Sequence, residues 1–141
     1  METTKPSMEQ FFTRQQANEG IELPLSLPDG TVTQHSIRIR GVDSDIFKRA
    51  DAASRRKMLE LSVDLDKEKV QVELQREKLK LIASLVISWT FDREFTPANV
   101  LEFLEEAPQI ADQVDRLASR RSLFFSKGSP PSTPTQVASS S

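Results

Sequence analysis

Between Asp43 and Thr90 the chain has no Gly and no Pro, and its apolar positions fall in heptad-spaced rows. One row is Met58, Leu65, Val72, Leu79 and Val86; the next is Leu61, Glu68, Gln75, Ile82 and Trp89. The second row is apolar at its ends and polar at its waist. With no residue to stop it, this stretch predicts one long helix. A single small core would bury the two ends of that helix and leave the middle in solvent. Such a helix suits a chain that docks on partners.

The waist, Asp64 to Lys80, places acids three residues before bases at Asp64–Lys67, Asp66–Lys69, Glu73–Arg76 and Glu77–Lys80, which supports a solvated helix. A break, if the helix has one, belongs near Ser62–Asp66, where side chains compete for the backbone. Asp43 or Ser44 is the expected N-cap, with Asp45 favourable in the first turn. The run Leu79 to Trp89 is apolar on most faces and is expected as the central helix of the core.

Upstream, the period changes to two. Ile21, Leu23, Leu25 and Leu27 alternate with polar residues or proline, and a return strand spans roughly 31–40. A three-residue loop, Pro28-Asp29-Gly30, sets Ile21 beside Ile37 and Leu23 beside His35, with Gly30 left-handed. Pro24 lacks an N–H and predicts an edge strand. Before the hairpin, Ser7 and Gln10 form a capping box for a short helix running to about Asn18 and ending at Gly20. Phe11 and Phe12 would anchor that helix.

Downstream, Thr96-Pro97 is a strong helix start, and Val100, Leu101 and Leu104 make one face. Pro108 opens the next helix, lined by Ile110, Val114, Leu117 and Phe124. The tail 126–141 is Ser, Pro, Thr and Gly in character and reads as disordered. The expected fold is therefore mainly α: a long central helix, two shorter C-terminal helices and an N-terminal β-hairpin. Its parts are a helical arm over 1–19, the hairpin over 20–42, an α-helical domain over 43–125 and the tail over 126–141.

Composition narrows the chemistry. Cysteine is absent, which excludes disulfides and thiolate metal sites, and a single His with no Tyr thins the pool of acid–base groups. Among the four glycines there is no phosphate-binding or dinucleotide pattern, nor a nucleophile elbow. Adjacent Glu105 and Glu106 project from different sides of a helix. His35 reads as a packed or half-exposed side chain and not as a metal ligand. No enzyme, cofactor or metal is expected. A net charge of -2 argues against general nucleic-acid binding. Arg55-Arg56-Lys57 reads as a solvated helical face. No apolar run approaches bilayer length, so neither a membrane nor a signal segment is expected.

Charge is uneven. Residues 90–115 hold seven acids and one base, while 116–127 hold four bases and no acid. The basic end suits the helix dipole. The acidic block exceeds what the dipole needs and admits partner complementarity as well. For partner contact the candidate side chains are Trp89, Phe91, Phe95, Phe124, Phe125, Val72 and Leu79. Trp89, Phe91 and Phe95 fit a core plug at the turn after the central helix, and aromatics also serve as binding anchors. Adjacent Phe124 and Phe125 cannot both face one core, so one is expected exposed or partner-bound. Self-association into a homo-oligomer is expected from the heptad row.

The segments Leu85-Val86-Ile87-Ser88-Trp89-Thr90-Phe91, Thr96-Pro97-Ala98-Asn99-Val100-Leu101-Glu102-Phe103-Leu104 and Pro108-Gln109-Ile110-Ala111-Asp112-Gln113-Val114 resemble tail assembly chaperones of long-tailed bacteriophages. So does Arg40-Gly41-Val42-Asp43-Ser44-Asp45-Ile46-Phe47-Lys48-Arg49-Ala50. The resemblance spans roughly residues 20–125 and consists of apolar and capping positions without an invariant motif. It implies a protein of the host cytoplasm that coats the long tape measure protein, keeps it soluble and helps recruit tail tube protein. It also implies that a longer, frameshifted form can exist. The rival expectations are a structural neck or tail protein of the virion, and a small coiled-coil regulator.

Overall fold

The computed structural model describes residues 5–125, so the expected disorder of 126–141 falls outside the described residues. Within them the chain runs from a 3-10 turn, Met8–Phe11, through α1 (Arg14–Glu19), β1 (Ile21–Ser26) and β2 (Val32–Ile39) to α2 (Asp45–Leu61) and α3 (Lys67–Ala83). It continues with β3 (Val86–Trp89), α4 (Pro97–Glu106), α5 (Pro108–Ala118) and a second 3-10 turn, Arg121–Phe124.

This is a mixture of helix and sheet, and it corrects the mainly α architecture with one long central helix. The long helix is two helices. Ser62 Oγ donates to the Leu59 carbonyl at 2.6 Å, and Asp64 accepts the Asp66 N–H at 3.0 Å. Asp66 then caps α3 by accepting the Lys69 N–H at 3.2 Å. These short polar side chains meet the freed backbone groups locally, so the chain reverses and α3 packs back along α2. The heptad row therefore never becomes one stripe: Leu65 is 94% exposed at the turn, whereas Val86 is buried in the core. Of the acid-first pairs expected at the waist, Glu77–Lys80 is present at 3.5 Å. Lys69 reaches Asp64 instead, at 3.6 Å.

The second correction concerns the run Leu79 to Trp89. Its helix stops at Ala83, and Val86–Trp89 forms a third strand against β2, pairing Ile37 with Trp89 and Ile39 with Val86. β2 is thus the centre of an antiparallel sheet ordered β1-β2-β3. An apolar run of this length has no periodicity that separates a buried strand from a buried helix, and cross-strand pairing decides. Arg40 completes the junction: its Nη1 donates to the carbonyls of Ser84 and Val86, and its N–H to that of Leu85. A cation thereby sits at the carbonyl end of α3.

The hairpin loop is Pro28-Asp29-Gly30, with Gly30 at φ 92°, closed by Gly30 N–H to Leu27 O at 2.8 Å. Away from the loop the expected register needs correction, since Leu23 pairs with Ile37 and Ile21 with Ile39. Between Pro24↔Ser36 and Ser26↔Val32 the chain advances two residues in β1 and four in β2. Thr33 bridges the irregularity, donating its hydroxyl to the Leu25 carbonyl at 2.6 Å. A slip by an even number preserves the faces, so Leu23, Leu25, Ile37 and Ile39 all remain buried. β1 lies at a sheet edge, where Pro24 costs no ladder bond to a further strand.

The amino-terminal helix is also shorter than expected. Gln10 accepts the Ser7 N–H at 2.9 Å, yet the turn ends at Phe11, and α1 begins afresh at Arg14. Phe11 and Phe12 do not anchor it; both are exposed. The other caps follow the sequence: Ser44 accepts the Phe47 N–H, Thr96 accepts the Asn99 N–H, and Pro97 and Pro108 open α4 and α5. One apolar core unites the sheet with α3, α4 and α5, centred on Ile37, Ile39, Leu85, Leu104 and Val114.

Candidate functional site

Packing the carboxyl half of α3 against α4 and α5 leaves two grooves that share Leu101. The first, about 380 Å³, runs along α3 between Val72 and Ile82 and is closed by Leu104, Pro108 and Ala111. Val72 is 65% exposed and Leu79 half-buried, so two of the sequence candidates lie together on its wall. Its rim carries both signs of charge: Arg76 and Lys78 from α3, Glu105 and Asp112 from α4 and α5.

The second groove, about 450 Å³, lies where the amino ends of α2 and α4 meet the end of α3. Its floor is Ala83, Val86 and Val100, and its lips are Ile46, Phe95 and Leu101. The charged residues that line it are Arg40 and Lys80. Burial lowers the Arg40 pKa from its usual value, as expected for a cation withdrawn from water.

Trp89, Phe91 and Phe95 do come together. Phe91, Phe95 and Phe103 stand 5.4, 5.3 and 5.9 Å from the Trp89 ring, all steeply inclined to it. The indole N–H donates to the Arg93 carbonyl at 2.8 Å and locks the turn between β3 and α4. Arg93 also pairs with Glu102 at 2.7 Å. Phe103 completes this plug and was not singled out from sequence; its position three residues after Val100 was the available signal. Phe95 alone among these rings forms a lip of the second groove.

The remaining candidates separate. Phe124 is buried beside Gly41, and Phe125 is 43% exposed. His35 is exposed, 3.0 Å from the Thr90 hydroxyl and stacked obliquely on Phe91 at 4.6 Å. A third, polar hollow, lined in part by Arg14, Asp43, Lys48 and Arg121, lies beside α1. There Arg121 lowers the Asp43 pKa by hydrogen bonding, and Arg14 does the same to Asp45. That Arg40, Ile46 and Leu101 line one groove is not legible in sequence, because nothing in their local pattern reveals that distant segments meet there.

Among the described residues no group of three or more His, Cys, Asp or Glu side chains is placed to hold a metal ion. No helix among them is long and apolar enough to cross a membrane. The arrangement offers two open apolar channels, both with charged residues in their lining. No protein-family model, curated protein or solved structure matches this chain.

Proposed function

We propose that this chain is a tail assembly chaperone of the kind used by long-tailed bacteriophages, holding segments of the tape measure protein until tail tube protein replaces it. The observation that carries the reading is the groove along α3, where Val72 and Leu79 remain open to an incoming helix. An amphipathic client helix buries its apolar face there and leaves its polar face to water. Burying a few such side chains contributes about 1.5–3 kcal/mol each, enough for a reversible hold. The exposed Leu59, Val63 and Leu65 at the α2–α3 turn add apolar surface beyond the groove. The resemblance over residues 20–125 supports the choice of client. In this reading the protein performs no catalytic step and needs no cofactor; it acts in the host cytoplasm.

Co-expression with a tape measure protein tests it. The wild-type chain should move the client from the insoluble to the soluble fraction, and Val72→Asp with Leu79→Asp should not. A client equally insoluble with and without the wild-type chain would refute the assignment. Recovery of the chain in purified mature particles would point instead to a structural neck or tail protein.

A further inference from the structure

The two grooves differ in charge. The first has cations and carboxylates on its rim, whereas the second is lined by Arg40 and Lys80 with no acidic residue. Lys80 has a partner in Glu77 at 3.5 Å. Arg40 has none: its Nη1 is committed to the carbonyls of Ser84 and Val86, and no carboxylate among the described residues pairs with it. Its environment is partly desolvated, where an unpaired charge attracts a counter-charge more strongly than at an open surface. Next to it lie lips that the fold leaves open, Ile46 at 45% and Phe95 at 40% exposure. Apolar floor, apolar lips and a cation without a carboxylate partner among the described residues therefore occur in one channel of about 450 Å³.

We infer that the second groove is a recognition site for an apolar protein helix that carries a carboxylate, seated so that its apolar side chains enter between Ile46 and Phe95 and its acid meets Arg40. The site rests on the protein-binding reading above and not on the identity of the client. Lys80, which also lines the groove, supports the same preference. The backbone carbonyls held by Nη1 orient the guanidinium, which leaves its remaining donors to bind the incoming acid.

The chain lacks cysteine, so one Cys introduced at exposed Ala52 on α2 accepts a fluorophore without touching the groove. The probes are stapled amphipathic helices with one leucine face, identical except for a flanking Glu, Gln or Lys. The Glu helix is expected to bind the labelled full chain about tenfold more tightly than the Gln helix, and the Lys helix more weakly still. Arg40→Gln should erase the difference. Because Arg40 also holds the end of α3, a second variant guards against misfolding. Ala98→Glu places an acid at the exposed first turn of α4, where helices favour one, and supplies the groove with its own carboxylate. That variant should keep the wild-type circular dichroism spectrum and lose the preference for the Glu helix. Equal binding of all three helices to the wild type, or a preference that survives Ala98→Glu, would overturn the proposal. So would Phe11 and Phe12 of the chain's own arm filling the groove, read as wild-type helix binding that rises when both are changed to Ser. Failure of the co-expression experiment leaves this result standing, since the probes contain no tape measure sequence.

Discussion

Arg121 grips Asp43 with two hydrogen bonds, 2.6 and 2.9 Å long, across 78 residues of sequence. The pair ties the segment after α5 to the residue just before the cap of α2. The Arg121 guanidinium lowers the Asp43 pKa from its ordinary 3.8. A carboxylate depressed by folding stabilises the native state above its unfolded pKa, and that contribution fades as pH falls through the folded value. Asp43→Asn should therefore lower the melting temperature at neutral pH, and the gap to wild type should close below about pH 4. Melting curves followed by circular dichroism between neutral and acidic pH check this, and a gap constant in pH would count against it.

Gly20 and Gly30 both sit at positive φ, 84° and 92°, but in different surroundings. A Cβ on Gly20 would lie 2.5 Å from the Ile39 carbonyl oxygen and 2.6 Å from Ile87 Cδ1, while one on Gly30 would meet nothing within 4 Å. Gly30→Ala should cost about 1–2 kcal/mol, the left-handed penalty alone. Gly20→Ala should cost clearly more, because β2 and β3 must also move. Urea titration of the two variants gives the comparison.

Leu104 is fully buried and Leu65 is 94% exposed, so they separate folding from binding. Leu104→Ala should lose about 2–5 kcal/mol of stability through the cavity it leaves. Leu65→Ser, alone or with Val72→Ser, should change stability by less than about 0.5 kcal/mol and yet reduce the amount of client kept soluble. Chemical denaturation together with the co-expression assay distinguishes the two effects.

The Ser54 hydroxyl is buried within α2 and finds no hydrogen-bond partner among the described residues. Replacing it with alanine removes an unpaired polar atom and improves helix propensity. Ser54→Ala should stabilise the protein by about 1 kcal/mol. A lower melting temperature in that variant would show that the hydroxyl has a use the static structure does not display.

Local chemistry was legible in the sequence wherever one or two residues suffice. Ser44, Thr96-Pro97 and Pro108 announce helix starts, Gly20 and Gly30 announce positive-φ turns, and Ser62 to Asp66 contains the polar side chains that break α2 from α3. The aromatic plug of Trp89, Phe91 and Phe95 was legible for the same reason, since its members are close in the chain. The strand Val86–Trp89, the slipped register of β2 and the second groove were not. Each depends on partners far away: Ile37 and Ile39 supply the pairing that turns an apolar run into a strand, and Arg40, Ile46 and Phe95 meet only after that strand is placed. Side-chain hydrogen bonding and backbone preference act over a few residues and are written in the sequence itself. Burial and cross-strand pairing act between segments, and only the folded chain decides which segments meet.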